Sequence, residues 1–540
     1  MLTSLIRRAP AALSWRAACR PARALIVCAL LPLVACATHP PATSLDRPVS
    51  HALSADTATP LRDALAGPEA AHPGQSGFRL LADGATALQM RIALARAATK
   101  TLDMQYYIAT EDTTGKLLLA AALYAADRGV RVRMLVDDLN FHDIDRVMAA
   151  LNTHQSIEIR VFNPFGASQR GMVERTTNFF TSIDSFTRRM HNKAMIADNQ
   201  LAIVGGRNLG DEYFSASPTL QFRDLDVLAA GPVTHDISKS FDDYWASASS
   251  YPLRALNHQT FAPKDLDAMR DELREHWRKN ADPYNAKPLN ATPLARQITR
   301  DELELVWAPA EFKVDAPDKV ARPTGTYVSP PMQRLADLTR GARKEFLAFS
   351  PYFVPHDAGV KVLGDTAARG VRVAIVTNSL AATDAVAVQA GYAPYRVPLL
   401  QRGVELYEFK SQPDQAPPRL FGSRSRASLH AKAYVIDRQI LVIGSLNLDP
   451  RSANLNTELA LVIHSPVLAQ QAAAIFARVT QPDESYRVTL AKQADGSPPA
   501  LEWTSADGGQ TTTYHVDPHA GLLRNVMTGI FTLLPVDDQL

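Results

Sequence analysis

The chain has 540 residues, with 57 Lys and Arg against 55 Asp and Glu, and three cysteines. Five of the arginines fall within residues 1–35, which hold no acidic residue; removing those five from the 57 leaves 52 basic against 55 acidic residues from Cys36 on, a net charge of −3. That balance leaves no global basic field and argues against a nuclease held mainly by phosphate neutralisation.

Arg7, Arg8, Arg16, Arg20 and Arg23 precede an apolar run at 24–34 that ends in Leu33-Val34-Ala35-Cys36. A cationic flank, a short apolar run and a small residue before Cys predict a signal peptide over residues 1–35, with a lipobox that places a lipid on Cys36. The run is too short to span a bilayer as a stable helix. Cys19 and Cys28 leave with the leader, so the mature chain keeps one thiol and no disulfide. Residues 36–76, rich in Ala, Pro, Thr, Ser and His without apolar periodicity, read as a flexible tether. About forty coil residues reach roughly 35 Å, which lets the body lie on a membrane or stand off it.

Two halves follow, 77–250 and 328–485, joined by 251–327 and trailed by an extension at 486–540. In the first half 102–108 and 128–136 read as strands and 116–127 as a helix. Residues 163–189 carry Phe165, Met172, Phe179, Phe180 and Phe186, which fit either an acyl-chain entrance or ordinary helix packing. His191-Asn192-Lys193 comes next, then Asp198, Gly205, Asn208 and Asp224. The joining segment has a charged helix at 264–279 and a loop at 280–291 broken by Pro283 and Pro288. In the second half 346–350 and 369–376 read as strands and 359–368 as a helix. Arg419, Arg424 and Arg426 lie in 411–428, either drawing in an anionic headgroup or marking a solvated loop. His430-Ala431-Lys432, Asp437, Gly444, Asn447 and Glu458 follow. Near the carboxyl end Leu522, Leu523, Val526, Met527, Ile530 and Phe531 share one face of a predicted docking helix.

The two halves repeat one pattern. Each has His-x-Lys, four residues and Asp, with Gly fourteen and Asn seventeen residues after the His. Each motif reads as a strand, a tight turn and a second strand, so that His and Lys, two apart, share a face. Asp198 and Asp437 fall at the turns, where a carboxylate is suited to holding backbone. Strands alternating with helices in both halves predict α/β layers, two per chain.

The duplicated H-x-K-x4-D with its following Gly and Asn resembles the phospholipase D superfamily, over residues 77–482. Gly205 to Phe214, Phe222-Arg223-Asp224-Leu225-Asp226, Ser350 to Pro355 and Gly444 to Ser452 resemble the bacterial cardiolipin synthase C subgroup. The resemblance implies an α/β fold of two pseudo-symmetric domains, each a mixed sheet flanked by helices, with the active site at their interface. It implies no cofactor and no metal. The implied substrates are phospholipids such as phosphatidylglycerol, phosphatidylethanolamine and cardiolipin.

The chemistry follows from the residue types. A phosphodiester is anionic and resists attack, so it needs fixed cations, a nucleophile and a proton donor for the leaving alkoxide. Lys193 and Lys432 hold the phosphate and Asn208 and Asn447 donate hydrogen bonds. One neutral His attacks phosphorus while the other, protonated, serves the leaving oxygen. The residues leave open which is which; the resemblance favours His191 as nucleophile and His430 as acid/base. By the same resemblance Glu458 and Asp224 orient the imidazoles. The candidate catalytic set is the two motifs, His191, Lys193, Asp198, His430, Lys432 and Asp437, the two aspartates being the members suited to a structural role. The expected activity is phosphatidyl transfer to a second phospholipid, with a phospholipase D, an envelope nuclease or a non-catalytic lipoprotein scaffold as alternatives. No nucleic-acid partner is expected, and a protein partner is left open. Lipid on Cys36 places the protein in the bacterial envelope facing the periplasm. The absence of Asp after Cys36 favours the outer membrane, whereas synthases of the resembled subgroup work at the inner one.

Overall fold

A computed structural model describes residues 45–138, 145–164, 187–256, 261–284, 294–411, 426–492, 499–507, 509–521, 524 and 528. The leader, Cys36, the five aromatic and Met positions of 163–189, Arg419, Arg424 and the six apolar positions of 522–531 lie outside the described residues.

The strands run from β1 (Ser76–Leu81) through β2 (Thr101–Tyr106), β3 (Arg131–Asp137), β4 (Ile157–Phe162), β5 (Ala194–Ala197), β6 (Leu201–Gly205), β7 (Leu220–Arg223), β8 (Asp226–Ala230), β9 (Ser250–Pro252) and β10 (Val306–Ala308). They continue with β11 (Ala310–Val314), β12 (Glu345–Phe349), β13 (Arg372–Asn378), β14 (Glu405–Phe409), β15 (Arg426–Leu429) and β16 (Ala433–Ile436). The last are β17 (Ile440–Gly444), β18 (Leu459–Ile463), β19 (Ser485–Leu490), β20 (Leu501–Asp507) and β21 (Gln510–Tyr514). One sheet has the order β10-β1-β8-β6-β5-β2-β3-β4-β9 and the other β11-β18-β17-β16-β12-β13-β14-β19-β20-β21. Without β10 and the β20–β21 pair, the two orders correspond strand for strand, so the sequence repeat is a repeat of a whole mixed sheet.

Parallel strands β2-β3-β4 and β12-β13-β14 form one side of each sheet. Their apolar runs suit burial on both faces. The helices Gly84–Ala97 and Thr113–Asp127 cover the outer face of the first sheet, and Pro330–Gly341 and His356–Ala368 that of the second. Between the sheets lies one shared core, closed by the helices Pro232–Ala246 and Pro466–Val479. Along β5, Ala194 and Ile196 face this shared core while Met195 and Ala197 face outward, and β16 alternates likewise with Ala433 and Val435 against Tyr434 and Ile436. Each following hairpin turns on two residues at positive φ, Asp198 and Asn199 in one half and Asp437 and Arg438 in the other, as a tight turn matched to strand twist requires.

Three expectations change. The segment 36–76 is not a free tether throughout: the carbonyls of Pro48, Ser50, His51 and Leu53 accept from Arg160, Arg133, Arg131 and Asn199, and Thr59 caps the helix Pro60–Ala71. Side-chain cations and amides satisfy that backbone, which apolar periodicity does not reveal. Second, the connector contributes a strand to each sheet, with only Pro309 between β10 and β11; the second domain therefore begins near 310 rather than 328. Third, β20 and β21 continue the second sheet through β19, so residues 501–514 belong to that domain rather than to a separate extension.

Candidate active site

The site is built by two exchanges between the halves. β7 from the first half pairs in parallel with β15 from the second, with Arg223 opposite Leu429, and the Arg223 carbonyl accepts from the N–H groups of His430 and Ala431. The next residue, Asp224, is thereby set beside His430, with Oδ2 2.6 Å from Nδ1. In the other exchange Met190 bridges Thr457, and the His191 N–H donates to the Thr457 carbonyl at 3.0 Å. Glu458 follows Thr457, and its two oxygens lie 3.0 and 3.1 Å from His191 Nδ1. Each imidazole is thus oriented by a carboxylate from the opposite half.

The two His-x-Lys triplets precede β5 and β16 rather than lying in them, but remain extended. The spacing of two lets Lys193 Nζ donate to the His191 carbonyl and Lys432 Nζ to the His430 carbonyl, each at 2.6 Å. Both lysines are 1% exposed, so their charge is little screened by water. Burial holds Lys193 well below its usual range and brings Lys432 to about 8. Burial, Lys193 and Lys432 hold His191 well below 6.5. Burial and Lys432 also lower His430, against the opposing Asp224.

The two carboxylates are held differently. Glu458 accepts from the hydroxyls of Ser445 and Ser452, the latter at 2.9 Å from the π-helical turn Arg451–Leu455. Its backbone N–H donates to Asp315 Oδ2, which also accepts from Lys319 Nζ at 2.7 Å, and Lys319 reaches the Ser452 carbonyl. Burial pushes the Glu458 carboxyl up. Burial also works against ionisation of Asp224, but His430, Lys432 and Arg207 outweigh it and hold the group below the usual carboxylate range. Asp224 occupies space that only glycine leaves free: a Cβ on Gly206 would lie 2.2 Å from its Oδ1.

Aromatic rings line both imidazoles. Tyr107 meets His191 edge-on at 5.0 Å, and Lys193 Nζ lies 5.0 Å from the same ring. Tyr213 and Phe222 lie 5.3 and 4.8 Å from the His430 ring. The sequence reading gave no role to these rings or to Ser445, Ser452, Asp315 and Lys319; the available signal was that Tyr213, Phe222, Ser445 and Ser452 lie in the segments that carry the family resemblance.

Asn208 is engaged with protein: its Nδ2 donates to the Tyr213 hydroxyl at 2.9 Å and its Oδ1 accepts from Ile108 N. It braces the Tyr213 ring beside His430. Asn447 retains a buried Oδ1 without a partner.

Asp198 and Asp437, grouped above with the catalytic residues although read as suited to holding backbone, lie away from the imidazoles and do hold backbone. Asp198 accepts from the backbone N–H groups of Thr99, Lys100 and Thr101 and from the Thr99 hydroxyl, and Asp437 from the N–H groups of Arg343, Lys344 and Glu345. Both pin the chain entering the neighbouring strand, at the far end of β5 or β16 from the imidazoles. Replacing Asp198 by alanine strands the buried N–H of Thr101, at about 1–3 kcal/mol for that donor, and frees the part-buried N–H groups of Thr99 and Lys100 at less cost. The expected result is a clear drop in the urea midpoint with kcat within a few-fold; a collapse of kcat in a protein of unchanged stability contradicts it.

Among the described residues no cluster of three His, Cys, Asp or Glu side chains has metal-binding geometry. No helix among them is long and apolar enough to cross a membrane.

Residues 91–245 and 335–480 match the family model described as cardiolipin synthase, PLD-like domain. The chain is 37% identical over 470 residues to cardiolipin synthase C of Escherichia coli K12, covering 86% of this chain and 96% of that protein. It is 27% identical to cardiolipin synthase A of Pseudomonas entomophila L48, over 73% of this chain and 66% of that one. The fold is similar to that of the solved phosphatidylserine synthase of Haemophilus influenzae Rd KW20, with a TM-score of 0.51 at 13% identity, covering 79% of this chain and 91% of that one.

Proposed function

The chain belongs to the PLD-like cardiolipin synthase family, and from that premise we propose that it is a phosphatidyltransferase working through a phosphatidyl-histidine on His191. The observation that carries the reading is the exchange itself: two imidazoles, each held by a carboxylate of the opposite half, beside two buried lysines. With Nδ1 of each ring turned to a carboxylate, Nε2 is the atom left for chemistry.

His191 Nε2 attacks phosphorus, the bond from phosphorus to the headgroup oxygen breaks, and the proton on His430 Nε2 passes to that oxygen. In the second step His430 takes the proton of an acceptor hydroxyl, the acceptor oxygen bonds to phosphorus, and the phosphorus–nitrogen bond breaks. Lys193 and Lys432 neutralise the non-bridging oxygens throughout. The charges around each ring support this division of roles. The nucleophile must be neutral and the donor protonated; Asp224, ionised and 2.6 Å away, supports a cationic His430 more directly than Glu458 supports one at His191. The acceptor is the hydroxyl of a second phospholipid, a reading that the relatives' name, cardiolipin synthase, supports.

Incubating the protein with vesicles of phosphatidylglycerol and phosphatidylethanolamine, and separating the lipids by mass, tests the reading. Cardiolipin that depends on His191 is expected; phosphatidic acid in its place makes water the acceptor and the protein a phospholipase D.

Because His191 reacts neutral and His430 protonated, kcat/KM should rise through the pKa of His191 and fall through that of His430. Both are lowered from 6.5 in the free enzyme, so the maximum is expected on the acid side of neutrality. A further loss begins near pH 8, where Lys432 sheds its proton. A chelator should leave the rate unchanged. A maximum above pH 8, or abolition by chelator alone, contradicts the mechanism.

Lipidation of Cys36 would anchor the body at the envelope. From Cys36 to the docked segment that begins near residue 45, nine residues span at most about 30 Å, so the anchor keeps the site near lipid. Cys36→Ser is expected to move the protein from the membrane fraction to the soluble one; unchanged partition ends the anchor proposal.

A further inference from the structure

Outside the site just described, an apolar cavity of about 360 Å³ lies on the outer side of the second sheet. Met332 and Leu335 of the helix Pro330–Gly341 line one side, Val362 and Leu363 of the helix His356–Ala368 another, and Val354 and Leu448 complete the wall. Its volume falls within the range of pockets that hold small organic ligands.

One wall of the cavity is continuous in the chain with the second motif. Leu448 and Asp449 follow directly on Asn447, and consecutive Cα atoms lie about 3.8 Å apart, so the cavity wall starts within about 8 Å of a residue in the second motif. The opposite wall begins where the chain leaves β12: the Ser350 hydroxyl accepts from Leu448 N, and Val354 N donates to the Leu448 carbonyl at 2.8 Å. These bonds tie the two loops into one strap along the cavity wall. Two polar groups of the wall bear on its occupant, His356 and Asp449. His356, at φ 49°, holds Nε2 buried without a partner, a group suited to an ester carbonyl. Asp449 is buried, and burial pushes its carboxyl up to about 6, which lowers the cost of an apolar neighbour.

We propose that this cavity shelters the ester-proximal part of one acyl chain of the phosphatidyl group while its phosphate lies between Lys193 and Lys432. The proposal rests on the phosphatidyltransferase reading. A lipid raised far enough for its phosphate to reach a buried site exposes its first methylenes to water, and an aliphatic slot beside the phosphate removes that exposure. An acyl chain fits the apolar lining, and its ester fits His356 and Asp449.

The test uses the full chain and a phosphatidylglycerol carrying a photoactivatable diazirine near the ester end of one acyl chain. Photolysis is followed by peptide mapping, with cardiolipin formation measured in parallel. Label in 330–341 and 448–454 is expected. Turnover with label only elsewhere overturns the cavity and leaves the transferase standing. Label in these segments without lipid turnover supports the cavity and overturns the proposed activity, and neither label nor turnover overturns both. Ala336→Trp, on the cavity wall, supplies a second readout in a protein checked for an unchanged melting point. Its turnover of dioleoyl relative to dihexanoyl phosphatidylglycerol should fall at least about tenfold; an unchanged ratio contradicts the assignment.

Discussion

Given a phosphatidyl ester of p-nitrophenol, the His430→Asn protein should release one equivalent of p-nitrophenolate per site and then stall, whereas the His191→Ala protein should release none. A nitrophenolate departs without a proton, so the first step no longer needs the acid, whose contribution with an ordinary alkoxide is about 10²–10⁴-fold. The second step still needs a base to activate the acceptor, and its loss leaves the phosphatidyl group on the enzyme. With a natural headgroup both variants should lose about 10⁴-fold or more, as expected when residues act as a unit. The activated substrate separates the roles that the repeated motif leaves symmetric. A burst retained by His191→Ala and lost in His430→Asn would reverse the assignment. Each variant leaves a buried carboxylate without its imidazole, so thermal unfolding is to be followed alongside.

The carboxylates should divide by the half they serve rather than the half they belong to. Glu458→Gln is expected to remove the burst with the activated ester, as loss of His191 does. Asp224→Asn should keep the burst and lose steady turnover, as loss of His430 does. Each is expected to cost about 10³–10⁴-fold, the scale seen when a carboxylate that orients a catalytic imidazole becomes an amide. The coupling is measurable in double variants. Glu458→Gln adds little to His191→Ala because the ring it orients is already gone, and Asp224→Asn adds little to His430→Ala. Coupling of Glu458 with His430 instead would contradict the exchange across the interface. The contrast is informative because Glu458 lies twenty-eight residues after His430 and 267 after His191.

The repeat was legible because local geometry enforces it. The Gly fourteen residues after each His sits where the adjacent strand comes too close for any Cβ: one on Gly205 would lie 2.6 Å from the Asp226 Cα, and one on Gly444 2.1 Å from the Leu459 carbonyl oxygen. His and Lys two apart in extended chain face the same way, and the apolar runs of β3 and β13 declare buried strands. The partners of the imidazoles were less legible. They depend on a four-residue strand, β7, meeting another, β15, more than two hundred residues away, and on a single bridge from Met190 to Thr457. Nothing in local spacing encodes either contact. Asp315 and Lys319 were hidden for a related reason: they lie in a segment read as connector, yet they form a fully buried ion pair that holds the Glu458 backbone and Ser452. The stretch from 45 to 59 read as tether because it lacks apolar periodicity; arginines and amides of the first domain dock it through its carbonyls. β10 and β11, three and five residues long on either side of Pro309, were too short to declare a domain boundary.

The most direct measurement is rapid acid-free quenching of the His430→Asn protein after reaction with the p-nitrophenyl phosphatidyl ester, followed by mass spectrometry of its peptides. A phosphatidyl adduct on the peptide that carries His191, removed when a phospholipid acceptor and wild-type His430 are both present, is the predicted result. An adduct on another residue, or complete turnover with no covalent adduct at any time, would contradict a phosphatidyltransferase acting through His191.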